Sequence, residues 1–198
     1  MNAARPKLSS LSKLTGVRWA RFLIKQESAF RAESRRADGN RKCQKRGRMY
    51  HAIVKRIARK NFERVNQKNF DALLQDCVPD VRHRFYGSHA LSGERHDREA
   101  VRRWFERLGR LCTGLTLTVQ DVWVKGLPHD TTIILRWTAK DTLINGSPYS
   151  NYGVHVLKMR WFKIVDIDAY EDSQAVAENL KLQAAHEIRE AAEPPIVS

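Results

Sequence analysis

The chain has no apolar run approaching the 18 or so residues that a membrane-spanning helix requires. Its longest early apolar patch, Trp19 to Ile24, is broken by Arg21 and is too short for a signal-peptide core. No membrane span is expected, and the cytoplasm is the expected location. Cysteine is scarce as well: Cys43, Cys77 and Cys112 are odd in number and form neither a CxxC pair nor zinc-ribbon spacing. Free thiols in a reducing compartment follow. P-loop, GxGxxG, GxSxG and HExxH patterns are all missing, so nucleotide cofactors, α/β-hydrolase chemistry and zincin chemistry lack support. His83, His89 and His96 have no helical i,i+4 partner and no cysteine beside them, and neither a metal nor any other cofactor is expected.

Charge of one sign is plentiful but unevenly placed. The 198 residues carry a net +14, which by itself suggests nucleic acid or an anionic membrane as partner. The first 48 residues hold 14 Lys and Arg against three acids, Glu27, Glu33 and Asp38, whereas the other 150 hold 22 against 19. The basicity thus belongs to a leader over 1–48 that has too little apolar content to offset its ordering entropy. Three readings stand for it: an Arg-rich transit peptide, a basic arm that binds nucleic acid or acidic lipid, and translated sequence upstream of the true start at Met49.

From Tyr50 the pattern changes. Tyr50, Ile53, Val54, Ile57, Asn61, Phe62 and Val65 recur at three- and four-residue spacing, one face of an amphipathic helix. A short helix from Phe70 to Cys77 is stopped by Pro79, a strand covers Val81 to Tyr86, and Gly87 to Gly93 is a loop. Asp97 caps a third helix whose buried stripe is Val101, Trp104, Phe105, Leu108 and Leu111. Beyond Gly114 the period becomes two: strands through Leu115–Val119 and Ile133–Ala139, a hairpin at Asn145-Gly146, then strands over 152–159 and 163–170. Ser173 or Asp172 caps a last helix that ends before Pro194. Helices early and consecutive strands late predict an α+β domain over 49–198 with a mainly antiparallel sheet, and no internal repeat is visible.

Several pieces in order resemble one family: Ala58 to Asn66 before Phe70-Asp71-Ala72-Leu73-Leu74, Pro79-Asp80 entering a strand, Gly93 before Asp97 to Phe105, Gly153-Val154-His155-Val156, Lys163-Ile164-Val165 and Tyr170-Glu171-Asp172. The chain resembles the SnoaL-like polyketide cyclase group of the nuclear transport factor 2-like superfamily, which includes ketosteroid isomerases and limonene epoxide hydrolases. The resemblance implies a cone-shaped curved sheet wrapped around helices, a cystatin-like roll, with an apolar cavity for a small organic ligand and a tendency to form homodimers. The isomerase base position falls on Phe85, the oxyanion-binding tyrosine on Asn61, the later oxyanion-binding acid near His155, and the epoxide hydrolase acid on Ala169. The family's common Asp-Gly turn before Lys163 is replaced by Trp161-Phe162, which predicts an altered turn.

His155 is the titratable residue of most interest, because it sits mid-strand among apolar neighbours and is predicted to face the cavity with Leu157 and Met159. Asp168, which shares a strand face with Asp166 and Tyr170, is its expected partner across the adjacent strand. The competing readings are a core histidine that holds strands together and a solvent-facing aspartate. Asn61, His83, Phe85, Trp104, Trp123, Trp137 and Tyr170 are the candidate ligand contacts, though tryptophans at such spacing are more often core. The expected function is binding of a small apolar metabolite, with cofactor-independent proton transfer of the isomerase, cyclase or hydrolase kind on His155 and Asp168. The alternative is a non-catalytic ligand-binding or dimerisation module. Nucleic-acid contact is expected only through the basic leader.

Overall fold

A computed structural model describes residues 47–198, so the basic leader expected over 1–48 lies outside the described residues except for its last two. The first helix, α1, occupies 47–66, and α2 is a short helix Phe70–Leu74. Strand β1 is Cys77–Phe85, β2 is Gly93–Arg95, and α3 is Arg98–Leu111. Four long strands follow: β3 Thr116–Leu127, β4 Asp130–Thr142, β5 Pro148–Arg160 and β6 Lys163–Glu171. Helix α4 is Ser173–Ala185, and a 3-10 turn covers Arg189–Ala192. No helix among these residues is long and apolar enough to cross a membrane.

The six strands form one mixed sheet in the order β2-β1-β6-β5-β4-β3, antiparallel throughout except for the parallel pair β1 and β6. The helices pack on one face. Their contact with the sheet is a single apolar core that includes Val54, Leu74, Val81, Val101, Ile133, Leu135 and Met159. Cys77 and Cys112 are free and lie in this core, where burial pushes both thiols up to about 12.

Local chemistry explains most boundaries and corrects several expectations. The Asp97 side chain accepts from Ala100 N at 2.7 Å and opens α3 as expected. Asp172 caps α4 by accepting from Ala175 N. The second helix is shorter than expected, ending at Leu74 instead of Cys77, and Pro79 lies inside β1. Proline is tolerated there because the register between β1 and β6 breaks between Cys77 and Arg82. The expected loop runs from Gly87 to Ser92, and Gly93 opens the short strand β2, which pairs with β1 through Phe85 and Gly93. Ile53, placed by spacing on the buried stripe of α1, is instead 45% exposed.

The turn between β5 and β6 is the sharpest surprise. Trp161 and Phe162 both adopt positive φ, 49° and 65°, the left-handed geometry that an Asp-Gly turn takes at no cost. The substitution therefore leaves the turn in that geometry and adds strain of about 1–2 kcal/mol per residue.

Candidate functional site

Alternation along β5 decides which side chains reach the interior. Asn151, Gly153, Leu157 and Met159 are buried while Tyr152, Lys158 and Arg160 are exposed, so His155 shares the inner face. On β4 the inner set is Ile133, Leu135, Trp137 and Ala139, and on β6 it includes Ile167, Ala169 and Glu171. These strands stack in rows: Trp137 opposite Gly153 opposite Glu171, and Leu135 opposite His155 opposite Ala169. Gly153 at the centre of one row gives the Trp137 indole room to lie across it, and Ala169 at the end of the other leaves space beside His155.

That space is a cavity of about 120 Å³, closed by α1, α3 and α4 on the side away from the sheet. One water occupies about 10–15 Å³ on the same measure, so a small organic molecule fits and the interior is not packed solid. Its wall is overwhelmingly apolar, with Phe62, Phe85, Trp104, Phe105, Leu117 and Trp137 the larger contributors.

Six of the nine candidate residues are brought together there: His155, Asn61, His83, Phe85, Trp104 and Trp137 all line the cavity. The His155 ring lies between aromatic neighbours, 5.3 Å from Phe62 and 5.6 Å from Trp137 between centroids. Burial pushes its pKa down to about 4, so the imidazole is neutral at physiological pH. His83 is wedged against Trp104 at 4.5 Å, and burial followed by the nearby Arg95 charge holds it well below the ordinary histidine range. Asn61 accepts from Arg64 Nη1 at 2.7 Å through its oxygen, and its Nδ2 is a buried donor without a partner among the described residues.

Three candidates are elsewhere. Asp168 lies on the outer face of the sheet, bound by the Arg84 guanidinium with Nη2 to Oδ2 at 2.6 Å. Asp166 makes the matching pair with Arg82, Nε to Oδ1 at 3.0 Å. Tyr170 stacks on Tyr86 on that outer face, rings 4.6 Å apart, and Trp123 is 52% exposed. The expected His155–Asp168 pair is therefore not formed. The reason is a β-bulge: Arg160 faces Lys163 and Met159 faces Ile164, but Lys158 then faces Asp166, one residue late. Without that extra residue, Asp168 falls opposite His155. With it, Ala169 does, and a one-residue slip moves every later side chain of β6 to the other face.

The same slip turns Glu171 inward, a residue that sequence reasoning overlooked. Both of its carboxyl oxygens are buried and neither has a hydrogen-bond partner among the described residues. Burial pushes its pKa up to about 8, so the carboxyl is protonated at neutral pH. Trp137 Nε1 is likewise buried and unpartnered. Asn151 steadies this end of the site by donating to Tyr149 Oη at 2.9 Å and to Asp172 O at 3.2 Å. Once Ala169 is taken as an inward position, two-residue alternation would have found Glu171.

The arrangement offers a neutral carboxyl that can donate or accept a proton, a neutral imidazole, and two amide or indole donors, all on apolar walls. Among the described residues, no group of three or more His, Cys, Asp or Glu is placed to hold a metal ion.

Comparisons with known proteins agree with this architecture. No curated protein matches the sequence. Among solved structures, TerC co-crystallised with polyporic acid is similar with a TM-score of 0.56 at 16% identity, covering 64% of this chain and 96% of that one. PrhC from Penicillium brasilianum gives 0.57 at 16%, covering 66% and 87%. An NTF2-like protein from Burkholderia thailandensis gives 0.55 at 19%, covering 63% and 95%. At such identities the likeness establishes the fold. The SnoaL-like domain model matches residues 58–167, more than half of the chain, and with the curled sheet, the helices on its inner face and the cavity between them in place, the chain belongs to the SnoaL-like domain family.

Proposed function

We propose that the domain binds a small, uncharged, largely apolar organic molecule in its cavity and moves a proton on it without a cofactor. The supporting observation is Glu171, a buried carboxyl with no hydrogen-bond partner among the described residues, which faces an apolar cavity together with a neutral imidazole. A fold does not tolerate such a group without cost, and a bound polar atom of a ligand would supply the missing hydrogen bond.

In this reading Glu171 donates its proton to a carbonyl oxygen of the ligand while His155 accepts the proton from the neighbouring carbon, which gives the enol. Glu171 then takes back the enol O–H proton as His155 returns its proton to carbon, restoring both groups, and Asn61 Nδ2 and Trp137 Nε1 hold further oxygens. No group in the cavity is charged at neutral pH, which favours a neutral ligand over a carboxylate or an ammonium ion. The co-crystal of TerC with polyporic acid supports an aromatic, oxygenated ligand by analogy of fold alone. The reading also takes the chain as a cytoplasmic homodimer, joined through the outer sheet face that carries Trp123, Ile134 and Tyr152.

Native mass spectrometry of protein purified from its own cells would show a retained ligand of this kind. Solvent deuterium should then exchange into that ligand next to its carbonyl, and Glu171→Gln should slow the exchange by at least about a hundredfold. Tight binding with no exchange would leave a non-catalytic binding module.

A further inference from the structure

Three segments meet at one end of the sheet: the first turns of α1, the turn between β3 and β4, and the turn between β5 and β6. Trp161 N donates to Pro128 O at 2.6 Å, His51 Nε2 lies 2.9 Å from Gly126 O, and the Phe162 ring meets Tyr50 edge-on at 5.4 Å. From this junction Met49, Ile53, Leu127, Trp161 and Phe162 present apolar side chains to solvent, with Trp161 68% exposed and Leu127 56%.

The charges around them are nearly all of one sign. Lys125, Lys158, Arg160 and Lys163 flank the two turns and are exposed. Lys55 and Arg56, about one turn along α1 from His51, are exposed with no carboxylate partner among the described residues. Arg59 and Lys60 continue that face away from the junction, and Arg59 donates to Val119 O at 3.2 Å. Asp130 in the β3–β4 turn and Glu63 farther along α1 are the acids of these segments. The first 48 residues, with their net +11, lead in sequence straight into Met49.

The backbone adds an independent sign. Trp161 and Phe162 hold left-handed conformations that Asn-Gly would adopt without strain; Phe162 offsets part of that cost by packing on Tyr50, whereas Trp161 is left 68% exposed. Strain kept at an exposed tip points to a use of those side chains at the surface.

We propose that this end of the domain docks on an anionic phospholipid bilayer. Trp161, Phe162, Leu127 and Met49 enter the headgroup region, where aromatic rings are favoured, and the ring of lysines and arginines meets the acidic lipid. A nucleic acid would use the cations but leave Leu127, Met49 and Ile53 without a partner. The inference is independent of the chemistry assigned to the cavity.

The test is co-sedimentation of the full chain with phosphatidylcholine vesicles, with and without phosphatidylserine. Binding should require phosphatidylserine, weaken with added salt, and fall about tenfold or more in the Trp161→Ser/Leu127→Ser double variant, both sites being exposed. As a second reading, vesicles with brominated acyl chains should quench tryptophan fluorescence in the parent protein and less so in Trp161→Phe. The proposal is overturned by failure to bind phosphatidylserine vesicles, or by binding that the double variant leaves unchanged. Binding of a DNA duplex in place of vesicles, insensitive to the double variant, would equally overturn it in favour of a nucleic-acid surface.

Discussion

The Trp137 indole rests directly on Gly153: a Cβ added at Gly153 would stand 2.6 Å from Trp137 Cζ2 and 2.4 Å from Tyr170 O. The ring can move but the carbonyl cannot. Gly153→Ala should therefore push the indole into the cavity and strain the β5–β6 pairing, lowering stability by about 1–3 kcal/mol. Thermal denaturation measures the cost, and a weaker affinity for any cavity ligand should accompany it.

Glu171 and His155 give stability opposite dependences on pH. The Glu171 carboxyl goes from an ordinary 4.5 to about 8 in the fold, so its neutral form is favoured by folding. That contribution is whole below pH 4.5 and is lost as pH rises through 8. His155 goes from 6.5 to about 4, so its contribution is whole above pH 6.5 and is lost as pH falls through 4. Between 4.5 and 6.5 the two slopes oppose each other; above 6.5 Glu171 acts alone. Melting temperatures of Glu171→Gln should rise relative to the parent as pH goes from 6.5 to 9, and a constant difference across that range would contradict the assignment.

Asp168 provides a negative control. Its pairing with Arg84 is on the outer face and partly exposed, which limits its worth to about 1 kcal/mol. Asp168→Asn should leave ligand affinity and any turnover unchanged, with at most a small drop in melting temperature. Loss of activity in that variant would restore it to the site.

Much of this was legible in the sequence. The amphipathic period of α1, the Asp97 cap and the Asn145-Gly146 hairpin predicted the element order, because each rests on local chemistry. The cavity-facing positions of His83, Phe85, Trp137 and His155 followed from strand alternation, and that of Trp104 from helical spacing. Asp168 and Tyr170 were misplaced together and Glu171 was overlooked, since one extra residue in β6 reverses their faces and no local signal marks a bulge. Ile53 and the Trp161-Phe162 turn departed from pattern for another reason: both lie at the exposed end of the domain, where spacing alone does not say what covers a side chain.

Strain in that turn can be measured on its own. Trp161→Asn places a residue that tolerates left-handed backbone at φ 49° and should stabilise the domain by about 0.5–1 kcal/mol. A loss of stability would mean that the indole packs more tightly than its exposure indicates.

Proton transfer in the cavity requires a neutral Glu171 that faces open space. Infrared spectroscopy of the carboxyl stretch tests it: a protonated-carboxyl band should be present at pH 7, vanish with a midpoint near 8, and be missing in Glu171→Gln. A Glu171 already ionised at pH 7 would contradict it.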